Sequence, residues 1–170
     1  MNRISAFVSV LVVTAALVGC TRFVSAYTFP PPAFGQQTTW KQEYPKDSDT
    51  GAVKCLYTNT QTGALIRVVE DPCDKPDAVR SAHAMQRLYR ESGYDVSLVM
   101  LCETPHGKYA SFAYARGNER GRIIAVRRPN VLKTFMLIGA WNAAADASSS
   151  VDIEQLAQEF EVEAERVPVE

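Results

Sequence analysis

The chain of 170 residues has the length of a single domain, because domains cluster at about 100–150 residues. Eighteen Lys and Arg residues stand against 19 Asp and Glu residues, and the net charge of −1 excludes a bulk electrostatic attraction to nucleic acid. A hydrophobic content of 46% is ordinary for a globular protein, so we expect the chain beyond its apolar N-terminus to form one soluble domain.

The N-terminus combines one positive charge with an uncharged apolar run. Arg3 is followed by Ile4–Val18, which carries no charge and has the pattern of a secretory signal peptide. A membrane-spanning helix needs about 20 apolar residues, and Arg22 follows too soon for that. A core helix would show polar positions at helical spacing, which this run lacks.

The apolar run ends in the sequence LVGC at residues 17–20. These residues resemble the lipobox of bacterial lipoprotein precursors, in which an aliphatic residue and small residues precede the cysteine. The resemblance implies a signal peptide at residues 1–19 and attachment of lipid, palmitate included, to Cys20. Thr21, rather than Asp, follows the cysteine, which in this class implies that a Gram-negative cell delivers the protein to the outer membrane, facing the periplasm or the cell exterior. Ordinary secretion and a retained anchor are the alternatives.

The mature chain divides into three parts by composition. Residues 20–39 include three consecutive prolines, Pro30–Pro32, which favour an extended and stiff segment, so we predict a lipidated N-terminus followed by a tether. Residues 40–162 carry the periodic patterns of a globular domain. Residues 163–170 are predicted to be an acidic tail.

The first half of the domain predicts a β-hairpin and a helix. Val53–Thr58 and Ala64–Glu70 are β-rich runs separated by a Gly-containing turn. Asp74 is a candidate N-cap, and Gly93 is placed to end the helix that follows. The helix is predicted to face the sheet with four residues at helical spacing, which are Ala78, Ala82, Met85 and Tyr89.

The second half predicts four strands and a second helix. The strands are Val96–Glu103, Tyr109–Arg116, Arg122–Arg128 and Thr134–Trp141. Ser149 is predicted to cap the last helix, whose inner stripe is Ile153, Leu156 and Phe160.

The order β-β-α-β-β-β-β-α predicts an α+β fold. Short connections between consecutive strands favour a mainly antiparallel sheet of about six strands with two helices packed on it. This order, with the strand-to-helix ending TFMLIGAW…VDIEQLAQEF, resembles the PsbP-type α/β/α fold of photosynthetic accessory proteins and bacterial lipoproteins. The resemblance implies a fold and leaves the function open.

Three cysteines remain after Cys20 is set aside, and we expect them to lie towards one end of the domain. An envelope address permits disulfides, so one disulfide and one buried thiol are predicted from Cys55, Cys73 and Cys102, with Cys55 and Cys73 as the favoured pair. A zinc site formed by these three cysteines and His106 is a further hypothesis, although the spacings match no standard zinc motif. A Cys102–His106 nucleophile pair is the enzymatic alternative.

Charge is segregated along the chain although the total is nearly neutral. Seven basic residues and one acid lie between residues 108 and 133, whereas seven acids and one base follow Val151. Three helix arginines share one face with His83. A patch for an anionic partner is predicted, formed by Arg80, Arg87, Arg90, Arg122, Arg127 and Arg128. The alternative is an ordinary solvated helix face, with the acidic tail neutralising the basic strands.

The sequence therefore favours binding over catalysis. It contains no nucleotide-binding loop, zinc-protease motif or nucleophile elbow, and no cofactor is predicted. We expect a lipid-anchored envelope protein that acts as an accessory or structural subunit of a complex, or binds an anionic ligand such as lipid A phosphate, a glycan or an acidic protein surface. Nucleic acid is not an expected partner. A periplasmic enzyme or redox protein that uses Cys102 with His106 is the alternative.

Overall fold

The structure, a computed structural model, describes residues 23–32, 34, 39–45, 53–72, 77–105, 107–128, 133–160 and 163–168. The predicted leader, Cys20, Cys73, Asp74 and His106 lie outside the described residues. The ten strands are β1 (Phe23–Thr28), β2 (Trp40–Glu43), β3 (Val53–Asn59), β4 (Leu65–Glu70), β5 (Asp95–Val96), β6 (Met100–Thr104), β7 (Gly107–Arg116), β8 (Glu119–Arg127), β9 (Thr134–Asn142) and β10 (Glu163–Pro168). The helices are α1 (Ala78–Glu91) and α2 (Asp146–Glu159), and a short 3-10 helix, Ala143–Ala145, precedes α2.

Eight strands form one sheet in the order β2-β3-β4-β9-β8-β7-β5, with β6 also paired to β7 along the same edge. Every pair in this sheet is antiparallel. The predicted α+β class with a mainly antiparallel sheet and two helices is therefore confirmed. The strand number is higher than the predicted six because β2 was not recognised and the predicted strand Val96–Glu103 is divided into β5 and β6.

The β3–β4 hairpin is confirmed, and its turn explains why the two strands pair. The Asn59 side chain accepts hydrogen bonds from the backbone N–H groups of Gln61 and Thr62, both at 3.0 Å. Gly63 then adopts a φ of 71°, a left-handed conformation that glycine takes without steric cost. The turn thereby sets the register in which Tyr57 faces Ile66.

Helix α1 packs on one face of the sheet through small side chains. Ala78 and Ala82 are buried against Ala110 and Ala125, which allows a close approach of helix and sheet. The predicted inner stripe is confirmed, with Met85 and Tyr89 packed against the same face. The helix begins after Asp77, whose carboxylate accepts hydrogen bonds from the N–H groups of Val79 and Arg80, so Asp77 is the cap.

Helix α2 packs on the opposite face of the sheet. Its predicted inner stripe, Ile153, Leu156 and Phe160, is fully buried in the core over β8 and β9, which includes Phe135 and Leu137. The predicted cap is wrong, because Ser149 lies buried inside the helix. The 3-10 turn before α2 is capped instead by Asn142, whose side chain accepts from the backbone of Ala144 and Ala145, so the helical segment begins several residues earlier.

Both chain ends contribute structure that the sequence pattern did not indicate. β1 and β10 form a separate two-stranded antiparallel ribbon, in part of the segments expected to be a tether and a tail. Phe29 and Phe34 are buried in the α2-side core. Tyr27, Phe29 and Phe34 therefore pack on the domain, although they belong to the segment that was predicted to be a stiff tether.

Candidate functional site

The outward face of α1 carries three exposed arginines. Arg80, Arg87 and Arg90 lie on the side opposite the alanines that pack on the sheet, and His83 is exposed among them. None of the three arginines makes an ion pair with a described residue. A depression of about 570 Å³ on this face is lined, among the described residues, by Arg80, His83, Ala84 and Arg87. We call Arg80, His83, Arg87 and Arg90 the arginine face of α1.

Two residues of the predicted patch are instead structural. Arg122 is largely buried on the α2 side and forms an ion pair with Glu154. Burial is the main influence on its guanidinium and lowers its pKa, while the nearby Asp146 carboxylate raises it. Arg122 therefore links the sheet to α2, on the face opposite the arginine face of α1.

Arg128 is buried at the C-terminal end of α2. Its Nη2 donates to the carbonyl oxygens of Ala157, at 2.9 Å, and Gln158, at 3.3 Å, and its Nε donates to that of Phe160. These carbonyls belong to the last helical turn, which has no intrahelical N–H donors left to offer them, and a cation there also complements the helix dipole. The structure thus removes Arg128 from the predicted binding patch.

Arg127, the remaining predicted patch residue, is exposed at the end of β8. It lines a cleft of about 450 Å³ with residues of the β6–β7 hairpin, which are Glu103, Thr104, Pro105, Gly107 and Lys108. Lys108 is already paired with Glu103 at 2.6 Å, and both side chains are more than half exposed, so this pair contributes little to stability. Arg127 has no ion pair with a described residue, but it stands on a different element from the arginines of α1.

A buried polar cluster holds the N-terminal segment on the domain. The Gln42 amide donates to the Pro30 carbonyl at 3.0 Å and lies 3.2 Å from the Tyr57 hydroxyl, while that hydroxyl donates to the Pro30 carbonyl at 2.8 Å. Cys55 lies in the same cluster and is fully buried. Burial raises the pKa of the Cys55 thiol, an effect that hydrogen bonds from Gln42 and Tyr57 reduce, so this thiol is protonated and shielded.

The sheet does not bring the predicted cysteine set together. Cys55 on β3 and Cys102 on β6 are free thiols with four strands between them, about 24 Å along the sheet at about 4.8 Å per strand. Two thiolates on one zinc ion lie within about 4.6 Å of each other, so these two residues do not share a metal site. Within the described residues, no group of three or more His, Cys, Asp or Glu side chains is arranged to hold a metal.

The remaining cysteine hypotheses depend on residues outside the described ranges. The disulfide between Cys55 and Cys73 stays a prediction, because Cys73 is not among the described residues. The same holds for the nucleophile pair of Cys102 and His106. Cys102 itself is half-buried beside Tyr109, packed against the α2-side core.

Sequence reasoning missed an exposed apolar edge. Leu98 is 85% exposed, and Met100 and Leu101 are each 56% exposed, where β5 and β6 share the outer edge of β7. The sequence pattern predicts one continuous strand over Val96–Glu103, and the alternation of apolar and polar residues does not reveal which strand of a sheet lies at its edge. The break at Ser97, whose hydroxyl accepts from the Ala113 N–H at 2.9 Å, turns Leu98 outward.

The comparisons with known proteins define the fold class. No protein-family model matches the chain, and no curated protein sequence matches it. The solution structure of cyanobacterial PsbP (CyanoP) from Synechocystis sp. PCC 6803 is similar to this chain, with a TM-score of 0.54 and 10% sequence identity, over 82% of this chain and 94% of that one. At this identity the similarity shows a shared fold, so the domain has a PsbP-like α+β fold. The described residues hold no helix with the length and apolar character that crossing a membrane requires.

Proposed function

We propose that this protein is a lipid-anchored envelope protein that acts by binding, as an accessory subunit of a periplasmic or outer-membrane complex. The lipobox-like LVGC sequence supports anchoring through Cys20, and Thr21 supports the outer membrane as its destination. The PsbP-like fold agrees with an accessory role, although a fold by itself does not determine function. The partner is an acidic protein surface that docks on the arginine face of α1.

The observation that carries this proposal is the difference between cations that interact with described residues of the domain and the α1 arginines, for which the described part of the chain shows no ion pair. Arg116 stacks on Tyr94 and Lys133 pairs with Glu70, so these cations stabilise the domain itself. The arginines of α1 make no such ion pair with described residues, and the adjacent sheet supplies them with none. An unpaired guanidinium retains all five donors for carboxylates, which it binds through two parallel hydrogen bonds.

The size of the arginine face suits a protein partner. Arg80 and Arg90 are ten residues apart, which is about 15 Å along a helix at about 1.5 Å per residue. A row of this length spans several side chains of an opposing surface. Because the arginines are exposed, their main effects are on association rate and selectivity, and both effects weaken as salt rises.

Site-specific cross-linking in the envelope tests the binding surface. A photo-reactive residue replaces His83, at the centre of the arginine face, and a second preparation carries it at Lys41 on β2 as the positional control. We expect one predominant protein neighbour at position 83 and none of that size at position 41. The double variant Arg80→Glu/Arg87→Glu should reduce the cross-link by about 5-fold to 30-fold, the effect of about 1–2 kcal/mol.

A matched charge variant separates local from global electrostatics. Lys41→Glu/Lys108→Glu changes the net charge by the same amount and alters two exposed residues away from α1. It should leave the cross-link at position 83 unchanged. An equal reduction in both double variants would mean that net charge, and not the arginine face, determines capture.

The anchor has its own test. Mass spectrometry of the mature protein should show an N-terminal Cys20 that carries acyl chains, and Cys20→Ser should release the protein from membranes. An N-terminus other than Cys20 without acyl chains would overturn the anchoring part of the proposal and leave the binding part to the cross-linking result.

A further inference from the structure

The strand β6 lies along the outer edge of the sheet. Its five residues, Met100–Thr104, pair with β7 on one side, and no strand among the described residues pairs with the other side. Alternate N–H and C=O groups of an edge strand point away from the sheet, so β6 offers a ladder of about 17 Å at about 3.4 Å per residue. An open ladder of this kind can pair with the strand of another chain.

The edge lacks the charges that keep other strands away. Residues 94–104, all of which are described, include two charged side chains, Asp95 and Glu103. Glu103 is paired with Lys108. Asp95 lies on β5, where its neighbour Val96 packs into the cluster under α1, so the Asp95 side chain points to the opposite face. On the α1 side, this segment therefore combines exposed apolar side chains with no unpaired charge.

One flank of α1 borders this edge. The Gln86 amide donates a hydrogen bond to the carbonyl of Ser97, the residue directly before Leu98. On the other flank, the Ser81 hydroxyl donates to the Asp71 carboxylate, which follows β4. Because β9, β8 and β7 separate β4 from this edge, the two hydrogen bonds fix which flank of the helix borders β6.

The arginine face begins on the flank that borders the edge. At about 100° per residue, Arg90 lies about 40° and Arg87 about 100° around the helix from Gln86, both in the outward direction. Leu101 pairs with Ala110, which packs under α1, so the Leu101 side chain also points to the α1 side of the sheet. An apolar edge and a row of cations therefore lie side by side.

We infer that an extended segment of the partner adds to β6 as a further strand, with an apolar side chain on Leu101 and acidic side chains directed to Arg87 and Arg90. The inference rests on the proposed function, because it names how the acidic partner docks beside the arginine face. Main-chain hydrogen bonds to β6 supply the affinity, and the apolar and acidic side chains supply the selectivity.

A second copy of this chain is the less suitable occupant of the edge. Pairing β6 with itself around a two-fold axis sets both arginine faces on the same side of the joined sheet. Residues 94–104 of the copy bring no unpaired acid to that side, so neither arginine face gains a counter-charge. Charge complementarity thus favours an acidic segment of another protein.

Leu101→Asp tests the added strand, and Val151→Asp is the matched control. The two side chains are 56% and 57% exposed, and Val151 lies on α2, on the opposite face of the sheet. In the full chain with the photo-reactive residue at position 83, Leu101→Asp should reduce the cross-linked product at least about 5-fold, or about 1 kcal/mol, because the new carboxylate repels the partner's acids. Val151→Asp should leave the product unchanged.

Two further measurements keep the test decisive. Urea unfolding followed by the fluorescence of the buried Trp40 and Trp141 shows whether either variant loosens the domain. If Leu101→Asp fails to fold, Leu98→Asp replaces it, because Leu98 is 85% exposed in the connection between β5 and β6. It should reduce the product in the same way.

Hydrogen exchange of the cross-linked complex reports the strand pairing itself. The slowest amides of Met100–Thr104 should exchange at least about 10-fold more slowly in the complex than in the uncoupled protein. Those of β2, at the opposite edge of the sheet, should not change.

The outcomes separate the added strand from the proposed function. Unprotected β6 amides, or an undiminished product in the folded edge variant, would overturn the added strand while the arginine face stands. A cross-linked peptide from this chain itself would overturn it in favour of a second copy. The absence of any product at position 83 in the otherwise unsubstituted chain would overturn both.

Discussion

Replacement of Arg128 tests whether the end of α2 depends on a side chain from the sheet. In Arg128→Met, three carbonyl oxygens lose their donors while the aliphatic packing is largely kept. Gln158 is exposed, so water satisfies its carbonyl, but Ala157 and Phe160 are fully buried. Each buried carbonyl left without a donor costs about 1–3 kcal/mol, so for two of them we expect a loss of about 2–6 kcal/mol in the free energy of unfolding.

Arg127→Met is the matched control, since the adjacent residue is exposed and makes no ion pair with a described residue. Surface substitutions of this kind change stability by about 0.5 kcal/mol or less. Urea unfolding followed by the fluorescence of Trp40 and Trp141 reports both variants, because both indoles are buried. A difference below about 0.5 kcal/mol between the two variants would show that the α2 carbonyls find other donors and that the assigned role of Arg128 is wrong.

Three further predictions concern backbone, titration and thiols. Gly107→Ala should destabilise the protein by at least about 2 kcal/mol more than Gly63→Ala in the same urea assay. Both glycines have a positive φ, so both substitutions strain the backbone, but only the new Cβ at position 107 collides with another atom, the Arg127 carbonyl oxygen. Burial raises the pKa of Tyr57 above its unfolded value of about 10, so the stability it contributes is complete below pH 10 and falls above it. The decrease in the free energy of unfolding between pH 9 and 11 should be smaller in Tyr57→Phe than in the unsubstituted protein. An equal decrease in both would exclude the Tyr57 phenol as a cause. In native protein kept under reducing conditions, which open the predicted Cys55–Cys73 disulfide, a thiol reagent should modify half-buried Cys102 well before Cys55. Cys55 should react only on unfolding, and equal rates would contradict the buried cluster.

Most of the sheet could be predicted because its strands carry local signals. The β3–β4 turn residues and the apolar runs of β7, β8 and β9 specify both the strands and their antiparallel pairing. The ribbon has no such signal, since the paired residues Thr28 and Glu163 are separated by 134 residues of chain. Pairing over that separation depends on where the core places both chain ends, which a local pattern does not contain.

The candidate site could be predicted only in part, for a similar reason. Arg127 and Arg128 are adjacent and chemically identical in the sequence, yet one is exposed and one is buried under the last turn of α2. β8 ends at Arg127, so the chain leaves the strand between the two side chains. The α1 arginines were predicted correctly as exposed neighbours because helical spacing alone determines that they share a face.

The two helices differ in whether their charged residues help to attach them to the sheet, and this difference explains why the binding surface is assigned to α1. The acids of α2 are engaged with the sheet: Asp152 accepts from the Trp40 indole at 2.9 Å, Asp146 accepts from the Trp141 indole at 2.8 Å, and Glu154 pairs with Arg122. A partner that competed for these acids would loosen the helix. α1 is held by apolar side chains and by hydrogen bonds from Ser81 to Asp71 and from Gln86 to the Ser97 carbonyl. No arginine of α1 takes part in these contacts, so the outward arginines can engage a partner with no loss of contact between α1 and the sheet.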